Sequence, residues 1–169
     1  MFKINPIVIL FLALCQFQLF GQAKKLDQNA FDFWIGEWDL TWENADGSTA
    51  VGTNRISKIL DEKVLQENFE DPLSGFKGTS ISVYNPKVDQ WFQSWADNKG
   101  GFFSFYGELN DENPVFRTIA QNIDGHSIVR RMVFKDITED NFVWEWEVSR
   151  DGGLNWELRW RIHYSRKDK

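Results

Sequence analysis

Few side chains in this chain of 169 residues could do chemistry, and the most informative lie on strand faces that should be apolar. In Leu65-Gln66-Glu67-Asn68-Phe69, Glu67 shares parity with Leu65 and Phe69. Side chains alternate along a strand, so a core-facing Leu65 and Phe69 bring Glu67 inside with them. A buried carboxylate needs a partner or a raised pKa. Trp91-Phe92-Gln93-Ser94-Trp95 places Gln93 inside by the same argument. Arg130 and Arg131 are adjacent, so one must point inward in a regular strand. Arg130 keeps company with Ile128, Met132 and Phe134, and Arg131 with Val129 and Val133. Arg130 is slightly favoured, although a bulge would reverse the choice. An inward arginine beside Glu67 could form a buried ion pair with no ligand. It could equally anchor an anionic group in a pocket walled by aromatic rings. Trp95 and Trp144 are the rings expected to meet such a ligand. The expected ligand-binding set is Glu67, Gln93, Trp95, Arg130, Arg131 and Trp144.

Other chemistry finds little support. There is no H-E-x-x-H, no G-x-S-x-G and no phosphate loop. Of two histidines, His126 adjoins a glycine turn and His163 shares an outward face with Arg159 and Arg161. No metal site and no cofactor is expected.

The elements that would position these residues are short. Turn-forming clusters occur at Asn44 to Ser48, Asp61 to Lys63, Asp71 to Gly75, Asn85 to Asp89, and Asp97 to Gly101. Four more follow at Asn110 to Pro114, Asn122 to Gly125, Asp136 to Asn141, and Ser149 to Gly153. Nine turns separate ten candidate strands rich in Val, Ile, Phe, Tyr, Trp and Thr. Regular spacing without a long helical pattern predicts an all-β sandwich or barrel. Trp38-Asp39-Leu40-Thr41-Trp42 alternates, and the run from Trp156 to Tyr164 alternates throughout. Both predict half-buried antiparallel strands with their rings on the core side. Asn29 to Ile35, ended by Gly36, predicts one or two turns of helix.

The first residues have another logic. Lys3 precedes an apolar run from Pro6 to Cys15, with small residues at Gly21 and Ala23. This pattern predicts a secretory signal peptide over 1–22 and one domain over 23–169, exported to the periplasm or beyond. The run is too short for a transmembrane segment, which takes about 20 apolar residues. A lipid anchor through Cys15 is the weaker reading, because Leu14 is large for a lipobox. Cys15 is the one cysteine, so the domain has no disulfide. The formal charge of −6, without a basic patch, argues against nucleic acid as a partner.

Gly36-Glu37-Trp38 after a short helix resembles the G-x-W opening of lipocalin-type barrels. In those barrels the helix closes one end and the tryptophan packs across the base. A last-strand arginine usually stacks on that tryptophan, whereas Arg159 and Arg161 fall on the polar face here. The pattern Phe31-Asp32-Phe33-Trp34-Ile35-Gly36-Glu37-Trp38, then Trp91 and Trp95-Ala96-Asp97, then Ser149 to Trp156, resembles an uncharacterised family of bacterial secreted domains that is lipocalin-like in fold. The resemblance implies a single antiparallel up-and-down barrel of about ten strands, of lipocalin or calycin type, closed at one end by a short N-terminal helix. Ser149-Arg150-Asp151-Gly152-Gly153-Leu154-Asn155-Trp156 also matches the Asp-box pattern S-x-D-x-G-x-x-W. It is expected to be a hairpin in which Asp151 bonds nearby backbone and Trp156 pins the turn to the core, rather than a glycan or calcium contact.

Three functions fit these residues. A small-molecule-binding barrel ranks first, its ligand apolar or amphipathic with an anionic group. An enzyme using Glu67 as acid or base with an arginine ranks below it, for want of a nucleophile–base pair. A barrel filled by its own rings and acting through its loops is the third, and the absence of a cavity of about 300 Å³ would favour it.

Overall fold

The computed structural model describes residues 25–167. The leader expected over 1–22 lies outside them. Eleven strands follow a single 3-10 turn at Asp32–Trp34: β1 Gly36–Glu43, β2 Thr49–Ile59, β3 Val64–Asp71, β4 Phe76–Asn85, β5 Gln90–Asp97, β6 Phe102–Asn110, β7 Asn113–Arg117, β8 Gln121–Ile123, β9 His126–Lys135, β10 Asn141–Ser149 and β11 Glu157–Arg166. Successive strands pair antiparallel from β1 to β7. Then β7 pairs with β9, β9 with β10, β10 with β11, and β11 returns to β1. The result is a closed ten-stranded barrel, and β8 is an extra strand that pairs with the first residues of β9. Each of the nine expected turns marks a junction between strands, seven of them overlapping a strand end by one to three residues. The eleventh strand arises because the run expected after Pro114 breaks between Arg117 and Gln121. There Thr118 N still donates to Arg130 O at 2.9 Å, but Arg130 N donates to Thr118 Oγ1 in place of a backbone carbonyl.

Inward and outward residues alternate as the pleat requires. In β1, Trp38, Leu40 and Trp42 are buried while Glu37, Asp39, Thr41 and Glu43 face outward. The base of the barrel is plugged by aromatic rings. Phe31 stacks on Phe116 at 4.3 Å and meets Trp91 and Phe134 edge-on. Trp34 packs on Phe134, and Trp38 on Phe142. Trp38 Nε1 donates to Trp34 O at 2.8 Å, tying the 3-10 turn to the first strand.

The arginine that stacks on Trp38 is Arg166, which the sequence reading passed over. Arg166 shares parity with Ile162 and Tyr164 and lies directly opposite Trp38 in the ladder. Its guanidinium sits 4.2 Å from the ring centroid. It also donates to Ile35 O at 3.0 Å and Phe33 O at 3.4 Å. Gly36, at φ +138°, makes the approach possible, since a Cβ there would collide with Arg166 Nη1. The glycine and tryptophan of G-x-W are thus both explained by one arginine from the far end of the chain.

Trp156 corrects another expectation. The alternation from Trp156 to Tyr164 is broken by an extra residue in β11: Trp146 pairs with Trp160, but Glu147 pairs with Leu158. A bulge reverses the faces on either side of it. Trp160, Ile162 and Tyr164 therefore belong to the core cluster, while Leu158 is exposed and Trp156 leaves the core. Trp156 lies instead against Arg131, 3.9 Å from its guanidinium.

Candidate functional site

The turns at Asp71–Gly75 and Asp97–Gly101, joined by Asn98 Nδ2 donating to Gly75 O at 2.8 Å, and the loop from Ser149 to Trp156 lie at the end of the barrel opposite the aromatic plug. Below them lies a cavity of about 180 Å³. Its upper wall is made by Phe69, Phe76, Trp95, Phe103, Trp146 and Trp160. Trp144 completes the wall, edge-on to Trp160 at 5.8 Å. The four tryptophans are only half-buried, unlike Trp34 and Trp38 at the base. Gly78 makes room for one of them: a Cβ there would overlap the Trp95 ring. Side chains fill the base and leave the upper half open; at about 180 Å³ the space falls below the roughly 300 Å³ that was to separate an open barrel from a filled one, which counts for the filled barrel against a drug-sized ligand and leaves room only for a compact one.

Glu67 lies at the floor, two residues further in than Phe69, and is 6% exposed. The two flanking strands supply its partners, one diagonal and one directly opposite. Asn54 of β2 donates from Nδ2 to Oε1 at 2.7 Å, and Ser80 of β4, directly opposite in the ladder, donates from Oγ to Oε2 at 2.6 Å. Burial dominates over these two bonds and pushes the Glu67 carboxyl up to about 7. Asn54 Nδ2 also donates to the Tyr164 hydroxyl at 3.1 Å. Burial, and then the charge of Glu67, raise the Tyr164 pKa well above its ordinary value. Asp97 stands at the rim. Burial opposes its ionisation, yet hydrogen bonds from Trp95 Nε1, Gly101 N and Lys99 N hold it below the usual carboxylate range.

The structure thus brings Glu67, Trp95 and Trp144 to one cavity. Gln93 is inward and 2% exposed, as parity required, but it lies deeper than Trp95 and bonds Ser82 Oγ at 3.0 Å. Its Oε1 has no partner. Arg130 has the inward parity, opposite Val148, but sits at the rim against Phe103, 5.7 Å from the ring, and reaches Gln121. Arg131 lies outside the barrel. It faces Glu147 across the β9–β10 ladder, with Nε to Oε2 at 2.5 Å, and Trp156 covers it. The Glu67–arginine pair expected from the sequence does not form. Both arginines have other partners, and Glu67 is held by neutral groups. Asn54, Ser80 and Tyr164 were missed as members of the site. Asn54 could have been found as a polar residue in parity with Ala50, Gly52 and Ile56. That signal is ambiguous, because the opposite face of β2 carries Val51.

The loop over Ser149 to Trp156 is tied to its neighbours by Gly152 N donating to Ser127 O at 2.8 Å and Arg117 Nη2 donating to Gly152 O at 3.4 Å, and is ordered from within by Asp151. Asp151 Oδ1 accepts from Leu154 N and Asn155 N, Oδ2 accepts from Asn155 Nδ2, and Gly152 and Gly153 take positive φ. Those bonds hold the Asp151 carboxyl well below its ordinary range. Among the described residues no group of three or more His, Cys, Asp or Glu side chains could hold a metal ion. No helix among them is long and apolar enough to cross a membrane. The chain matches no protein-family model and no curated protein.

Proposed function

We propose that this chain is an exported small-molecule-binding barrel of lipocalin-like type. It takes a compact, largely apolar ligand through the end opposite the aromatic plug. The cavity carries this reading: nine aromatic residues around a space of about 180 Å³, with one carboxylate at its floor. An apolar cavity of about 150 Å³ is enough to hold benzene. The space therefore suits one ring with a short substituent, and a longer molecule would extend into solvent. Apolar walls with a few placed polar groups are the usual composition of a ligand site. The lipocalin-like reading draws support from Arg166 on Trp38, with Gly36 beneath it. Export rests on the leader read in 1–22. The anionic ligand group expected from the sequence meets no basic side chain on the cavity wall.

Native mass spectrometry of the protein purified from its own cells tests the reading. A reproducible added mass, lost on denaturation, is the expected result. A clean apo mass, with no ring-sized probe bound on titration, would contradict it and favour a barrel filled by its own rings.

One observation favours a second reading, an enzyme. A carboxyl at about 7 on a cavity floor is poised for general acid–base work. Catalytic turnover of a bound compound, abolished by Glu67→Gln, would establish it over simple binding.

A further inference from the structure

We propose that the cavity selects an organic cation, a ring-bearing primary amine, with its ammonium at Glu67 and its ring among Trp95, Trp144, Trp146 and Trp160. The inference rests on the binding reading above and names the class of ligand.

Three features of the wall point the same way. First, its charge has one sign. The titratable groups lining the cavity are Glu67, Asp97 and Tyr164, and no lysine, arginine or histidine lines it. Arg130 is turned to Phe103 and Gln121, and both histidines are exposed. On the wall itself an anion would face two carboxylates and no basic group, while the cation at the rim, Arg130, lies over the Phe103 ring and bonds Gln121. Second, Glu67 has acceptor capacity left. An ionised carboxylate offers about four lone-pair sites, and Asn54 and Ser80 occupy two of them. Glu67 lines the cavity, so an ammonium bound there has an acceptor within its reach. Third, the walls are aromatic. The face of a tryptophan ring carries negative charge density and attracts a cation, most strongly where water is excluded. An ammonium entering from the mouth passes Trp95, Trp144, Trp146 and Trp160 before it reaches Glu67.

The proton on Glu67 gives the proposal a signature. Asn54 and Ser80, which hold the carboxyl from β2 and β4, are neutral. Asp97 is held low and Tyr164 high, so neither changes charge between about pH 5.5 and 8.5. Glu67, at about 7, is the wall group that does. A bound ammonium favours the ionised form, so binding below pH 7 must release a proton, and affinity must rise with pH through that region.

Calorimetric titration of the purified protein with benzylamine, benzyl alcohol and benzoate between pH 5.5 and 8.5 decides the matter, because benzylamine is an ammonium throughout that range. At pH 8.5 benzylamine should bind on the order of 10- to 100-fold more tightly than benzyl alcohol, the range of one hydrogen bond to a charged group. Benzoate should bind most weakly. The affinity for benzylamine should fall on acidification through pH 7 with proton release, while that for benzyl alcohol stays level. Glu67→Gln should erase both the preference and the pH dependence. If that variant does not fold, the wild-type pH series still carries the test. Equal binding of amine and alcohol, or preference for benzoate, would overturn the cation assignment and leave the cavity reading standing. Binding of none of the three would overturn both.

Discussion

Replacing Glu67 by Gln should change how stability depends on pH. The carboxyl titrates near 4.5 when unfolded and near 7 in the barrel. Between those values the folded protein holds a proton that the unfolded chain releases, so stability falls as pH rises. The native contribution is fully present below about 4.5 and lost as pH passes through about 7. At 1.36 kcal/mol per pK unit the gap is worth about 3 kcal/mol. Gln keeps the local bonding: its Oε1 accepts from Asn54 Nδ2, and its Nε2 donates to Ser80 Oγ, which becomes the acceptor. It carries no charge to desolvate. The assay is urea denaturation of wild type and variant at half-unit steps from about pH 4.5 to 8.5, read as the difference in unfolding free energy so that all other ionisations cancel. The wild type should lose about 3 kcal/mol relative to the variant across that range, most of it between about pH 5 and 7. A difference that stays constant would refute the reasoning, and it would mean that Glu67 ionises as though solvated.

Arg166→Ala removes the cover of Trp38 and three bonds to backbone carbonyls, those of Glu139, Ile35 and Phe33, and should cost about 2–3 kcal/mol of stability without altering ligand binding at the other end; denaturation and titration of the same sample check both. Gly78→Ala inserts a methyl where the Trp95 ring lies. It should destabilise by about 1–3 kcal/mol and weaken binding of benzyl alcohol, whereas an unchanged affinity would remove Trp95 from the site. Asp151→Ala should speed proteolysis within Ser149 to Trp156, and calcium should not raise the melting temperature of the wild type. A calcium-dependent rise would revive the loop as an ion site.

Much of the barrel is legible in the chain because turn chemistry and period-2 alternation are local. They locate all nine turns and bring Glu67, Gln93 and Arg130 to the inner face. What they lack is height and register. Glu67 and Arg130 share the barrel interior, but β3 and β9 are separated around the ring, so face alone could not make them a pair. Glu67 instead meets Asn54 and Ser80, its neighbours on adjacent strands, and Arg131 meets Glu147 directly across its ladder. Trp156 went to the wrong face because a single bulge inverts parity, and nothing in the pattern Trp156-Glu157-Leu158-Arg159-Trp160 marks the extra residue. Arg166 was within reach, since it continues the inward series Ile162, Tyr164. Its role depends on a partner 128 positions away in sequence and on the hole left by Gly36.

The central claim is that the end opposite the plug is an open site. The tryptophans report on it individually, because each indole N–H gives its own signal in a nitrogen-correlated NMR spectrum. Titration with benzyl alcohol should move the signals of Trp95, Trp144, Trp146 and Trp160 and leave those of Trp34, Trp38 and Trp156 in place. A spectrum in which no signal moves, or in which Trp34 and Trp38 move instead, would contradict the account.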